Sequence, residues 1–168
     1  MEAGDYRITV LHPYKGFYTL GGNEDREENN SSVVLKVSGK KSSFLMTGDI
    51  EDEAETDMAH LKEWLPSDVI KMPHHGSRTS ANEEFLSAVS PAIAVISVGR
   101  DNSYGHPSPE VLEKLAGKKI VRTDRDGAVK MTETREGLEI KTYREFALKN
   151  ADNAATELHN LTRLFTVW

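Results

Sequence analysis

The chain has 168 residues, 21 Lys and Arg against 27 Asp and Glu, a net charge of −6 and no cysteine. That length and apolar content suit one domain with a buried core. Disulfides, thiolate metal sites and cysteine nucleophiles are excluded, and the acidic balance withholds the general attraction for phosphate backbones that drives non-specific nucleic-acid binding. No apolar run approaches the ~18–20 residues that span a bilayer, and no signal-peptide core follows Met1, so a soluble protein, cytoplasmic by default, is expected.

Taken in order, Tyr6 to Leu11 alternates around Ile8 and Val10 and predicts a strand that ends at His12-Pro13. A His-Pro strand exit needs no chemical role, and His12 is left outside the site. Lys15 to Ser31, with Gly21-Gly22 and a charged run from Glu24 to Asn30, predicts a solvated connection. Ser32 to Val37 and Ser42 to Met46, separated by Gly39-Lys40-Lys41, predict a hairpin. Ala54, Met58, Leu61 and Leu65 then recur at helical spacing and predict a helix over Glu51 to Trp64, closed by Pro66. The acids Glu51, Asp52, Glu53 and Glu55 read as complements of its dipole.

Asp68 opens the apolar run Val69 to Met72, which Pro73 stops because it cannot donate to a sheet ladder. Ser80-Ala81-Asn82-Glu83 matches a capping box and predicts a helix through Phe85, Leu86 and Val89. A strand over Ala92 to Val98 follows. Ser108-Pro109 starts a further helix, with Val111, Leu112 and Leu115 as its buried face. Ile120-Val121 predicts a short strand and Asp124 to Gly127 a turn. Ala128 to Thr132 with Leu138 to Tyr143 predicts a closing hairpin. The order is strand–strand–helix–strand–helix–strand–helix–strand and then a hairpin, a layered α/β domain over residues 1–143. From Arg144 the composition changes, and Phe146, Leu148, Leu158, Leu161, Leu164 and Phe165 predict a helical extension over 144–168, broken near Asn150 to Asn153.

Three of the predicted strands end in Gly-containing loops that bear Asp or His. They deliver Asp49 in Thr47-Gly48-Asp49, His74 and His75 in Pro73-His74-His75-Gly76-Ser77, and His106 in Asn102-Ser103-Tyr104-Gly105-His106-Pro107. In open α/β sheets, sites lie beyond the carboxyl ends of strands, so these ends should converge on one rim. Asp and neutral His suit Zn²⁺ or Mn²⁺. Convergence favours a metal-dependent hydrolytic site over three unrelated turns.

Together, Asn30-Ser31-Ser32-Val33-Val34-Leu35, Leu45-Met46-Thr47-Gly48-Asp49, Asp68 to Ser77, and Ser97-Val98-Gly99 through Asn102 to Pro107 resemble the metallo-β-lactamase superfamily. The resemblance is strongest to the C-terminal hydrolase domain of ComEC-type competence proteins and covers roughly residues 5–143. It implies an αββα sandwich, a mixed sheet with flanking helices, and one or two Zn²⁺ or Mn²⁺ ions at the sheet edge. It also implies hydrolysis of phosphodiesters or related bonds by a metal-bound hydroxide. By position, Asp49 matches the aspartate that bridges two metals and His106 the last histidine ligand. His74 or His75 then serves as a ligand or as proton donor to the leaving group, with His75 taken as the ligand. Ser77 and Asn102 stand behind them or face substrate.

One departure from the pattern matters. The family's main ligand motif, His-x-His-x-Asp-His or His-x-Asp-x-Asp-His, belongs to the N-terminal half and has no counterpart here. The chain is therefore expected to correspond to the C-terminal half of the sandwich, to expose one sheet face, and to cover it by dimerising or by pairing with the missing half. Two main readings follow. One is a metal-dependent, nuclease-like phosphodiesterase in its complete form, with this chain incomplete or inactive alone. The other is a non-catalytic binding or structural module, or one half of a split hydrolase. A third, a serine hydrolase using Ser77 beside His75, lacks the Gly-x-Ser-x-Gly elbow.

Overall fold

The computed structural model describes residues 1–14 and 28–144. Seven strands form one mixed sheet in sequence order: β1 (Glu2–Ala3), β2 (Tyr6–His12), β3 (Val34–Ser38), β4 (Ser43–Met46), β5 (Val69–Lys71), β6 (Ile93–Ile96) and β7 (Lys119–Arg122). Neighbours from β1 to β4 are antiparallel, and those from β4 to β7 are parallel. Each parallel step needs a crossover, supplied in turn by α1 (Asp52–Ala59), α2 (Glu83–Val89) and α3 (Pro109–Lys114). Crossovers of one hand that all advance in one direction place their helices on one face. In keeping with this, Leu45, Ile70 and Ala94, paired across β4, β5 and β6, share a core with Met58, Phe85, Val89, Val111 and Leu115. A short helix, α4 (Thr123–Asp126), leads to a separate hairpin of β8 (Val129–Glu133) and β9 (Leu138–Thr142). Lys41 ties that hairpin to the β3–β4 turn, its backbone N–H donating to Glu133 and its ammonium to the Arg135 carbonyl.

The opposite sheet face is less covered. Val10, Leu35 and Met46 form one cross-strand row on it, and Val10 and Met46 are 62% and 37% exposed. Among the described residues no helix is long and apolar enough to cross a membrane.

The mixed α/β class and the order of elements from the first hairpin onward agree with the sequence reading; three local expectations do not. Helix α1 ends at Ala59 rather than Trp64, and the chain continues in short turns, with Leu61 N–H bonded to Met58 O at 2.7 Å. Leu65 is nevertheless buried and Leu61 packs on the core, so the apolar period is satisfied without helical backbone. Lys36 finishes that stretch by donating to the carbonyls of Trp64 (2.9 Å) and Pro66 (2.8 Å). The cap of α2 is Asn82, whose Oδ1 accepts from Glu84 and Phe85 N–H, while Ser80 Oγ donates instead to Pro73 and Ser77 carbonyls. Lastly, the expected connection from Lys15 to Ser31 closes in a 3-10 turn, Glu28–Ser31, with Asn30 buried. The rest of that connection and the extension expected beyond Arg144 lie outside the described residues.

Candidate functional site at the carboxyl rim of the parallel sheet

Strands β4, β5 and β6 are adjacent and parallel, so the loops beyond Met46, Lys71 and Ile96 open on the same edge. Asp49, the His74-His75 pair and His106 meet there. His75 Nε2 stands 3.5 Å from Asp49 Oδ2. The His74 ring lies edge-on to both other imidazoles, with centroids 6.3 Å from His75 and 5.8 Å from His106.

Local sequence explains the convergence. Gly48, at φ +58°, lets the β4 loop turn against Ser32; a Cβ there would lie 2.6 Å from Ser32 Cβ. Ser32 Oγ accepts the Asp49 N–H at 3.1 Å, and Thr47 Oγ1 donates to Lys71 O at 2.7 Å. Beyond Pro73, His74 and His75 both adopt left-handed backbone, φ 43° and 55°. Non-glycine residues are rarely held this way, at a cost of ~1–2 kcal/mol each, and such strain gathers at functional sites. Asn102 closes the third loop on itself. Its Nδ2 donates to Gly99 O (3.0 Å) and His106 O (2.9 Å), and its Oδ1 accepts the His106 N–H (2.9 Å).

The hydrogen-bond partners decide which ring atoms are available. His75 Nδ1 lies 2.6 Å from Ser97 O, and a carbonyl only accepts, so Nδ1 carries the proton. In the neutral ring Nε2 is then a bare lone pair facing a carboxylate oxygen, an approach that calls for a shared proton or cation. His74 Nδ1 sits 2.9 Å from Glu51 Oε1 but off the line of a hydrogen bond, and Oε1 already accepts from Asn29 Nδ2 at 2.8 Å. Burial, and then the neighbouring His74 and His75, hold the His106 imidazole below its ordinary value, which keeps it neutral at pH 7. Lys71 approaches Asp49 Oδ1 at 3.4 Å and donates to Gly48 O at 2.7 Å. Burial lowers its ammonium pKa, and the Asp49 carboxylate opposes that shift.

In kind, these donors suit Zn²⁺ or Mn²⁺: a carboxylate, an imidazole with a fixed tautomer, and a second neutral imidazole. In number they fall short, because among the described residues no three His, Asp or Glu converge to hold a metal ion.

Ser77 Oγ bonds Thr79 Oγ1 at 2.9 Å, and His75 Nδ1 is engaged with Ser97 O, so no Ser77–His75 hydrogen bond supports a serine nucleophile. Sequence reasoning passed over Lys71 and Glu51. The signal for Lys71 was a lone cation in an apolar strand two residues before Pro73. Glu51 carried no signal apart from its neighbouring acids.

No family model matches the chain. It is 38% identical over 131 residues to ComE operon protein 3 of Bacillus subtilis, covering 77% of this chain and 16% of that protein. Competence protein ComA of Neisseria gonorrhoeae is 36% identical over 123 residues, 71% of this chain and 18% of its own length. Recombination protein 2 of Haemophilus influenzae is 37% identical over 121 residues, 71% and 15%. These ComEC-type competence proteins are homologues of the chain, which spans about a sixth of their length.

Proposed function

We propose that this chain forms part of a metal-dependent hydrolase of the metallo-β-lactamase superfamily, acting on phosphodiesters of DNA handled in competence. The observation that carries the reading is the meeting of Asp49, His74, His75 and His106 at three adjacent strand ends. The names of the homologues, one a ComE operon protein, one a competence protein and one a recombination protein, agree with a DNA substrate. Zn²⁺ or Mn²⁺ supplies Lewis acidity to such a site. Asp49, His75 through Nε2, and neutral His106 are the residues that would hold it. His74, which lies between His75 and His106 at the same edge, is the residue we assign as proton donor to the leaving group. The described donors do not surround one ion, so a complete site needs further ligands. That shortfall also favours the second reading, a binding module or one half of a split hydrolase.

Metal content separates the two. Protein purified without chelators is expected to carry near-stoichiometric Zn or Mn by plasma mass spectrometry, and His106→Ala to lose it. A metal-free wild type would overturn a site assembled by this chain and leave the module reading. The row of Val10, Leu35 and Met46 supports a further layer on that sheet face, supplied by a second copy or by an N-terminal half. Light scattering after size exclusion is expected to give a dimer; a clean monomer would exclude the second copy.

A further inference from the structure

Tyr104 stands at the lip of the site and is 81% exposed. Its ring lies nearly parallel to that of His106, with centroids 5.9 Å apart and planes at 15°. Ring-to-ring steps of 6.3, 5.8 and 5.9 Å run in turn from His75 through His74 and His106 to Tyr104. The row begins beside Asp49 and ends in solvent. The loop is braced by the three Asn102 hydrogen bonds to Gly99 and His106, so the ring is presented by a fixed backbone. One face of the tyrosine meets His106, and the high exposure leaves the other open.

We propose that Tyr104 is a stacking platform for an unpaired nucleobase beside the reacting phosphodiester, and that the substrate is therefore single-stranded nucleic acid. The inference rests on the phosphodiesterase reading above. A base inside a duplex is already stacked on its neighbours and reaches such a ring only after being extruded. A base in a single strand has a free π-face, and aromatic stacking of this kind is tolerant of sequence. The charge of −6 agrees with this: with little general attraction for phosphates, contacts to bases add affinity that the backbone does not supply.

The test uses the full chain in chelator, so that nothing is cleaved. The probes are a fluorescein-labelled oligothymidylate and an abasic sugar–phosphate oligomer of equal length. By anisotropy, the wild type is expected to bind oligothymidylate about 5- to 150-fold more tightly than the abasic oligomer. Tyr104→Ala should lose that preference, whereas Tyr104→Phe should keep it, with unfolding midpoints unchanged in both. A wild type that binds neither probe, or a Tyr104→Ala variant that keeps the preference, overturns the platform. A cleavage assay with Zn²⁺ or Mn²⁺ reports separately on hydrolysis. Base-dependent binding through Tyr104 without cleavage would remove the hydrolase and leave the platform. Cleavage with an indifferent Tyr104→Ala would do the reverse.

Discussion

Glu55→Ala is expected to cost about 3–5 kcal/mol of unfolding free energy, measured by urea titration. Glu55 is fully buried in α1. Its Oε1 accepts the Ala81 N–H at 2.8 Å and its Oε2 the Asn82 N–H at 2.6 Å. Ala81 is a left-handed non-glycine residue, φ 68°, whose carbonyl is held from the other side by Lys114 Nζ at 3.0 Å. The carboxylate thus fastens the turn between the His74-His75 loop and α2. Truncation orphans two N–H groups and opens a cavity. Glu55→Gln keeps the volume but turns an amide N–H₂ towards one of those donors, at a cost of about 1–3 kcal/mol. Burial pushes the Glu55 carboxyl up to about 7, with Asp52 adding to the shift and the two backbone N–H bonds and Lys114 opposing it. The folded value lies above the unfolded 4.5, so between these values the native state binds more protons. The stability contribution is present below pH ~4.5 and lost as pH rises through 7, on the order of 3 kcal/mol. The advantage of wild type over Glu55→Gln should therefore be larger at pH 5 than at pH 8. A difference independent of pH would show that Glu55 stays ionised throughout.

That clamp marks where reading the sequence stops. The strands and their terminal motifs were legible because each is a local statement: Val69 to Met72 is apolar, Pro73 ends it, and His74 and His75 follow directly. The convergence of Asp49 with the histidines needed only the rule that parallel strands open on one edge. Glu55 was hidden because its partners, Ala81 and Asn82, come 26 and 27 residues later, and in its own helix it looks like one of several surface acids. The cap of α2 was misplaced for a related reason. Ser80 and Asn82 both suit an N-cap by type, and the left-handed Ala81 between them, held by Glu55, decides for Asn82. The predicted α1 is longer than the observed one because Leu61 and Leu65 keep a helical period while the helix itself stops at Ala59 and the chain goes on as isolated turns. Periodicity reports which residues face the core, and here the core was met by turns. Lys71 belongs with Glu55: a charge on a buried strand has a meaning only once Asp49 is beside it.

Gly76→Ala is expected to strike both the fold and the site. Gly76 sits at φ +79°, and a Cβ there would lie 2.8 Å from Pro107 Cβ and 3.3 Å from Pro107 Cα. The left-handed backbone alone costs an alanine ~1–2 kcal/mol, and the collision with a rigid ring adds about 1–3 kcal/mol. Gly105→Ala provides the comparison. Its φ of +73° is nearly the same, but no atom lies within 4 Å of the added carbon, so only the backbone cost applies. Thermal unfolding should rank wild type above Gly105→Ala and Gly105→Ala above Gly76→Ala. The added methyl of Gly76→Ala falls where the loop of His74 seats against the loop of His106. Gly76 O accepts the Ser108 N–H at 2.9 Å, and the two histidine-bearing loops touch backbone to backbone through Gly76 and Pro107. Forcing them apart by even a few tenths of an ångström moves His106 away from the His74-His75 pair while every side chain of the site remains. Any metal carried by the wild type should therefore be weakened in Gly76→Ala and retained in Gly105→Ala. Equal stability of the two glycine variants would mean that the loops yield independently and that the seating of Gly76 on Pro107 does not hold the site together.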